Sequence, residues 1–256
     1  MTKKNIWLIV CGCVVAAALV GLTIFLIVTR NVKPNNPDTA PQSVDGSYRV
    51  VCYTPDVKND ASTVYTPDQT IEMKDGNFTY YMNGGTVTAK YTFTSGNKDY
   101  SQTMSAPFYR CILSMTEISN PALPASLVVK CYTSNVIELV DEVGFKEWRL
   151  VKLDGTRTEY AKATADGVQK KWNVALKGHE LSEMKIDITA TEFAIDNKGT
   201  PTKLSYNFNE SEQYMDITGL GRAYVVKPSD TALVLVVVEG TAENPGAVTV
   251  WELKLA

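Results

Sequence analysis

The chain has 256 residues, 25 basic against 28 acidic, a net charge of −3 and a single histidine. Lys3, Lys4, Arg30 and Lys33 all precede Pro34 and no acid does, so the region from Pro34 onward holds 21 basic and 28 acidic residues, a net −7. That balance argues against nucleic acid or an anionic lipid surface as its main partner. One histidine and no Cys-x-x-Cys argue against ordinary zinc or iron sites, so no cofactor and no metal is expected.

In chain order the first element is Ile6 to Val28, an uncharged apolar run whose only strongly polar side chain is Thr23. As a helix rising ~1.5 Å per residue it reaches ~34 Å, enough to cross a hydrocarbon core of ~30 Å. The run continues ten residues past Ala18, the best cleavage position, which favours an uncleaved signal anchor over a removed signal peptide. Cys11 and Cys13 raise a lipoprotein alternative, but lipid-modified cysteines are normally followed by polar chain and Val14 to Val28 is apolar. Positive charge is nearly balanced across the run. The five-residue flank before it and the large region after it predict a single-pass protein of the cell membrane with the N-terminus inside and the bulk outside.

Residues 29–45 hold Pro34, Pro37 and Pro41 among Asn, Asp and Thr with no apolar period, and read as a semi-extended stalk. Beyond it the chain reads as strands. Tyr48–Tyr53, Thr70–Met73, Phe78–Tyr81, Val87–Phe93, Leu127–Tyr132, Val136–Val140 and Trp148–Val151 are β-branched or aromatic, with turn signals at Asp75-Gly76, Asn83-Gly84-Gly85 and Ser95-Gly96-Asn97. A break at residues 154–169, with Asp154-Gly155, Asp166-Gly167 and a turn or two of helix around Glu159 to Ala163, separates a first β domain (46–153) from a second (170–256). The second holds eight candidate strands: Trp172–Leu176, Met184–Thr189, Glu192–Asp196, Lys203–Phe208, Tyr214–Thr218, Ala223–Lys227, Ala232–Val238 and Val248–Leu255. The fold class is therefore all-β, two antiparallel up-and-down barrels or bent sheets behind one N-terminal helix. Ala232–Val238, apolar on both faces, needs cover on both.

The two domains also look alike. Asn83 to Thr88 followed by Tyr91-Thr92-Phe93 parallels Asn197 to Thr202 followed by Tyr206-Asn207-Phe208. Trp148-Arg149-Leu150 parallels Trp251-Glu252-Leu253, and the opening strands place Tyr48 against Trp172. This pattern is that of a diverged tandem duplication. An opening Gly-x-aromatic-x-Val strand (Gly46 to Val50), Lys74-Asp75-Gly76-Asn77-Phe78, Gly84-Gly85 and closing Trp-x-Leu strands resemble bacterial lipocalin-like and META-type small β-barrel domains. In the second domain Lys170 stands where the opening glycine of that pattern would be. The resemblance implies binding of a small apolar ligand or an envelope-associated role, and supplies no catalytic residue.

Of the three cysteines outside the apolar run, an exterior location allows one disulfide, with Cys111 and Cys131 favoured, or three buried thiols. His179 sits in a predicted turn with no nucleophile beside it and reads as an exposed loop residue rather than a general base. Asp141 and Glu142 lack the spacing of a calcium loop, and Gly219-Leu220-Gly221 is a hairpin turn rather than a phosphate cradle. Thirteen tyrosines suggest sugar stacking, but alternating with Thr and Val they suit half-buried sheet positions. The expected function is non-enzymatic: a membrane-anchored exterior protein binding a small apolar ligand, with Trp172, Phe193, Tyr206 and Tyr224 as cavity lining, or an interaction module of the envelope with filled barrels. Its expected partners are the membrane through residues 6–28 and a small apolar ligand or envelope protein, with an unrecognised hydrolase as the remote third reading.

Overall fold

The computed structural model describes residues 39–58, 63–66, 68–100, 106–199, 201–240 and 245–256. The apolar run Ile6 to Val28, with Cys11 and Cys13, lies outside the described residues, as does most of the stalk. Among the described residues no helix is long and apolar enough to cross a membrane.

The chain forms two closed antiparallel barrels of eight strands each. Barrel 1 is built from β1 (Gly46–Thr54), β3 (Thr70–Lys74), β4 (Asn77–Met82), β5 (Gly85–Thr94), β7 (Phe108–Thr116), β8 (Ser126–Cys131), β9 (Val136–Asp141) and β10 (Lys146–Lys152), and closes where β10 pairs with β1. The two-residue strands β2 (Val64–Tyr65) and β6 (Lys98–Asp99) extend it beside β1 and β7. Barrel 2 is built from β11 (Lys171–Lys177), β13 (Lys185–Ile188), β14 (Glu192–Asp196), β15 (Thr202–Asn209), β16 (Tyr214–Ile217), β17 (Gly221–Ser229), β18 (Ala232–Gly240) and β19 (Pro245–Leu255), closed by β11 with β19 and extended by β12 (Glu180–Leu181). Closure leaves neither barrel a long open edge.

The eight strands expected of the second domain are all present. In the first, β7 and the two-residue β2 and β6 lie outside the expected strands. The alternation of β7 is plain in hindsight, with Tyr109, Cys111, Leu113 and Met115 facing the core and Arg110 and Ser114 turned out. The linker helix is a single turn, α1 (Ala165–Val168), capped by the Thr164 hydroxyl accepting from the Gly167 N–H. Glu159 to Ala163 does not form it. Tyr160 instead makes an isolated bridge to Gly155.

Register shows the duplication in detail. In barrel 1 Tyr48 faces Lys152, Val50 faces Leu150, and after a bulge Cys52 faces Arg149 and Tyr53 faces Trp148. In barrel 2 Trp172 faces Leu255, Val174 faces Leu253, and after a bulge at the same place Leu176 faces Glu252 and Lys177 faces Trp251. The opening aromatic does the same work in both. The Tyr48 hydroxyl donates to the Val44 carbonyl, and the Trp172 indole N–H to the Val168 carbonyl, each four residues back, drawing the preceding segment over one barrel end. Shared registers and bulges mark a common plan in the two barrels.

The core of each barrel is made of its own side chains. Tyr48, Ile71, Met73, Phe78, Leu113 and Leu150 meet inside the first, and Trp172, Ile186, Phe193, Met215, Leu235 and Trp251 inside the second. A third core lies between the barrels, where Val51, Cys52, Phe108, Tyr132, Val136 and Val151 of barrel 1 pack on Leu176, Val226, Val234, Val236 and Val250 of barrel 2. That is why β18 is buried on both faces. Leu233, Leu235 and Val237 point into its own barrel while Val234 and Val236 point at the other.

Candidate functional site

The chemistry of the chain concentrates at that junction. Glu138 sits mid-strand in β9, directly opposite Arg149 on β10 and Lys130 on β8, so three charges share one outward face of barrel 1. Barrel 2 covers them. Glu138 and Arg149 are 3% and 5% exposed. Glu138 Oε1 lies 3.1 Å from Arg149 Nη2 and 3.1 Å from His179 Nε2, and Oε2 lies 3.1 Å from Lys130 Nζ and 3.3 Å from the Tyr132 hydroxyl, which donates to it. Arg149 Nη1 donates to the Gly178 carbonyl at 2.7 Å, and the Ala106 N–H donates to the His179 carbonyl. One turn of barrel 2 is thus gripped by barrel 1 at three points.

Burial, the largest single influence on Glu138, pushes its carboxyl up, but Arg149, His179 and Lys130 together outweigh it and hold the group well below the ordinary carboxylate range. Burial pushes the Cys52 thiol, on the strand beside Arg149, up to about 11, so it is an inert thiol. Every oxygen of Glu138 is occupied by protein donors, the pattern of a structural ion cluster rather than a vacant catalytic acid.

Glu252, the counterpart of Arg149 in barrel 2, is fully buried at the same junction. Its Oε1 accepts from Asn135 Nδ2 of barrel 1 at 2.8 Å, the Thr133 side chain also acts on the carboxyl, and among the described residues Oε2 meets no donor in hydrogen-bond geometry. Burial raises its pKa. A carboxyl with a raised folded value contributes stability below its unfolded pKa and loses it as pH rises through the folded one. Glu252→Gln keeps the Asn135 bond and removes the ionisation. It is expected to raise stability to urea at about pH 8 and to change it little at about pH 4.

The residues singled out from sequence fall in different places. Trp172 and Phe193 are buried in the barrel 2 core, with Tyr206 half-buried against Phe193 at 6.3 Å between ring centres. Tyr224 is not with them. It faces outward and stacks on Tyr65 of barrel 1 at 4.0 Å, so these four residues line no common cavity. Cys111 and Cys131 lie on neighbouring strands as free thiols, buried like Cys52. Hydrogen bonding to Cys111 and burial push Cys131 up. His179 occupies the expected turn, half-exposed, yet its ring reaches the buried Glu138. Asp141 Oδ1 accepts from the Val143 and Gly144 N–H groups and Glu142 pairs with Arg110 at 2.7 Å. Among the described residues no cluster of three or more metal-ligating side chains forms. Gly219 and Gly221 shape the turn between β16 and β17, and a side chain at Gly221 would meet the Val238 carbonyl.

Glu138, Arg149 and Lys130 escaped sequence reasoning. Their signal was present: a single charge set inside each of three otherwise apolar strands, Val128 to Cys131, Val136 to Val140 and Trp148 to Val151. The fold and this junction define a tandem of closed eight-stranded barrels joined by a buried ionic cluster. No family model matches the chain, and the curated proteins compared with it include no match.

Proposed function

We propose that the chain is a non-enzymatic interaction module of the cell envelope: two lipocalin-like barrels, filled and fused, displayed outside the membrane on the N-terminal apolar run. The observation that carries this reading is that large side chains, Phe78 in one barrel and Trp172 with Phe193 in the other, occupy the space a carrier would leave for its ligand. Binding then falls to the surface. The turn between β9 and β10 presents Val143 at 88% and Phe145 at 41% exposure, with Val57 beside them at 39%, its N–H donating to the Phe145 carbonyl. Apolar side chains gathered at one barrel end are the kind of patch a partner covers. Support for the anchor comes from the length and apolarity of Ile6 to Val28.

A photo-crosslinking amino acid placed at position 143 of the full chain in intact cells tests this. A discrete adduct that disappears with Phe145→Ser is the expected result. Labelling no greater than that from a crosslinker at the exposed Lys74, or unaltered by Phe145→Ser, would overturn the reading.

A further inference from the structure

The duplication lets the two barrels be compared position by position, and at one end they differ in kind. In barrel 1 the end at which β1 finishes is closed by Tyr53, Gln69, Tyr80 and Trp148. Tyr53 and Trp148 rings are 5.3 Å apart, the Tyr80 hydroxyl donates to Gln69 Oε1, and the same hydroxyl lies within hydrogen-bonding reach of Trp148. The registers of β1 with β3 and β10, and of β3 with β4, place Lys177, Met184, Ile195 and Trp251 at the equivalent positions of barrel 2. Every acceptor for the indole has gone. Trp251 is 3% exposed, and among the described residues its buried Nε1 has no acceptor.

What surrounds that donor is specific. Met184 is buried, while Ile195 and Leu204 point into the barrel but remain half-exposed. Leu181 of the neighbouring edge strand β12 is exposed at 37%. The Lys177 ammonium stands 5.2 Å from the centre of the Trp251 ring. An unpaired N–H in an apolar setting calls for an acceptor, because leaving it unmade is costly. A cation beside the ring favours an acceptor that is negative. The aliphatic rim offers nothing to the many hydroxyls of a sugar, and Trp172 and Phe193 are packed further in, which favours a ligand with a short apolar stem.

We infer that this end of barrel 2 is a binding site for a carboxylate carried on a short apolar stem, to which the Trp251 indole N–H and the Lys177 ammonium donate between Met184, Ile195 and Leu204. A free short-chain acid and the carboxyl end of a polypeptide finishing in an aliphatic residue share that chemistry. The site is separate from the β9–β10 surface of the proposed function, so either stands if the other fails.

The test uses the full chain, 15N-labelled at tryptophan, in zwitterionic micelles, with Trp251→Phe identifying the indole signal. Probes are hexanoate, a short peptide ending in leucine with a free carboxylate, and hexylammonium. A saturable shift of the Trp251 N–H, with Trp148 unmoved, is expected with at least one of the two carboxylates, and the tighter of them identifies the source. Lys177→Met should weaken binding several-fold while the signal remains. Ile195→Tyr, which supplies the hydroxyl that barrel 1 uses, should abolish binding in a protein that melts no earlier than the parent. If that variant fails to fold, Lys177→Met decides alone. No shift with either carboxylate means that the N–H is met by water only and sinks the proposal, as does an equal shift with hexylammonium or undiminished binding in Lys177→Met.

Discussion

Glu138→Leu should destabilise the joined barrels by about 3–5 kcal/mol, because it leaves Arg149 buried without its anion. In a thermal melt this is a fall on the order of 10 °C. The double variant Glu138→Leu, Arg149→Leu should recover a large part of that loss, since replacing both members of a buried pair by apolar groups of similar size is far milder than orphaning one. It will not recover all of it. Arg149 also donates across the junction to the Gly178 carbonyl, and the double variant leaves that carbonyl without its donor. pH separates the ionic contribution from simple packing. The folded-state pKa of Glu138 is depressed, so its contribution is complete above the unfolded carboxylate value and is lost as pH falls through the folded one. The gap between parent and Glu138→Leu should therefore hold steady near neutrality and narrow under strong acid. A single variant as stable as the parent, or a double variant that loses as much as the two singles summed, would show that the cluster does not hold the junction.

The strands were legible because their signals are local. Alternating apolar positions, β-branched runs and Asp-Gly or Asn-Gly turns announce themselves within a few residues, and in barrel 2 they mark all eight barrel strands, though not the two-residue β12. The junction was not legible, because it depends on what lies across a strand rather than along it. Glu138 looked like an ordinary solvent-facing residue until register set it between Arg149 and Lys130 and barrel 2 closed over all three. Tyr224 was misplaced for a related reason. Its half-apolar strand suits the barrel interior as well as the outside, and only the pairing of Tyr214 with Tyr224 and of Tyr224 with Val236 fixes which side it takes. The doubly apolar Ala232 to Val238 carried the one advance notice of the junction, since its second face needed a cover that one barrel cannot give.

One plan repeated in two joined barrels puts opposite chemistry at equivalent positions. Arg149 and Glu252 occupy the same register in the two closing strands, both outward and both buried at the junction. A solitary barrel would hold either residue in water. Brought face to face, Arg149 pairs with Glu138 and donates across to the Gly178 carbonyl, while Glu252 meets Asn135 and Thr133 of barrel 1 with one oxygen left short of a donor. Retaining a half-satisfied carboxyl beside a satisfied ion cluster biases the barrels toward one docking arrangement, because sliding either past the other strands several buried charges at once.

Trp172→Ala should cost about 3–5 kcal/mol, the range for emptying a large aromatic site in a filled core. The indole is 1% exposed among Ile186, Phe193 and Leu253, and its N–H holds Val168 and with it α1 against the barrel end. Barrel 1 supplies the control. Tyr48 occupies the same register and donates to Val44 in the same way, so Trp172→Tyr should lose well under half as much as Trp172→Ala. Urea unfolding measures both. The loss should also appear in barrel 1, in one transition rather than two, because Val234, Val236 and Val250 of barrel 2 cover Val51, Val136 and Val151 of barrel 1 and neither face can stay dry alone. Near-ultraviolet signals from Trp148 and Trp251 should therefore melt together in the variant as in the parent. Separate midpoints would mean that the apolar layer between the barrels is too weak to couple them, and the ionic cluster at its centre would then join two independently folded units.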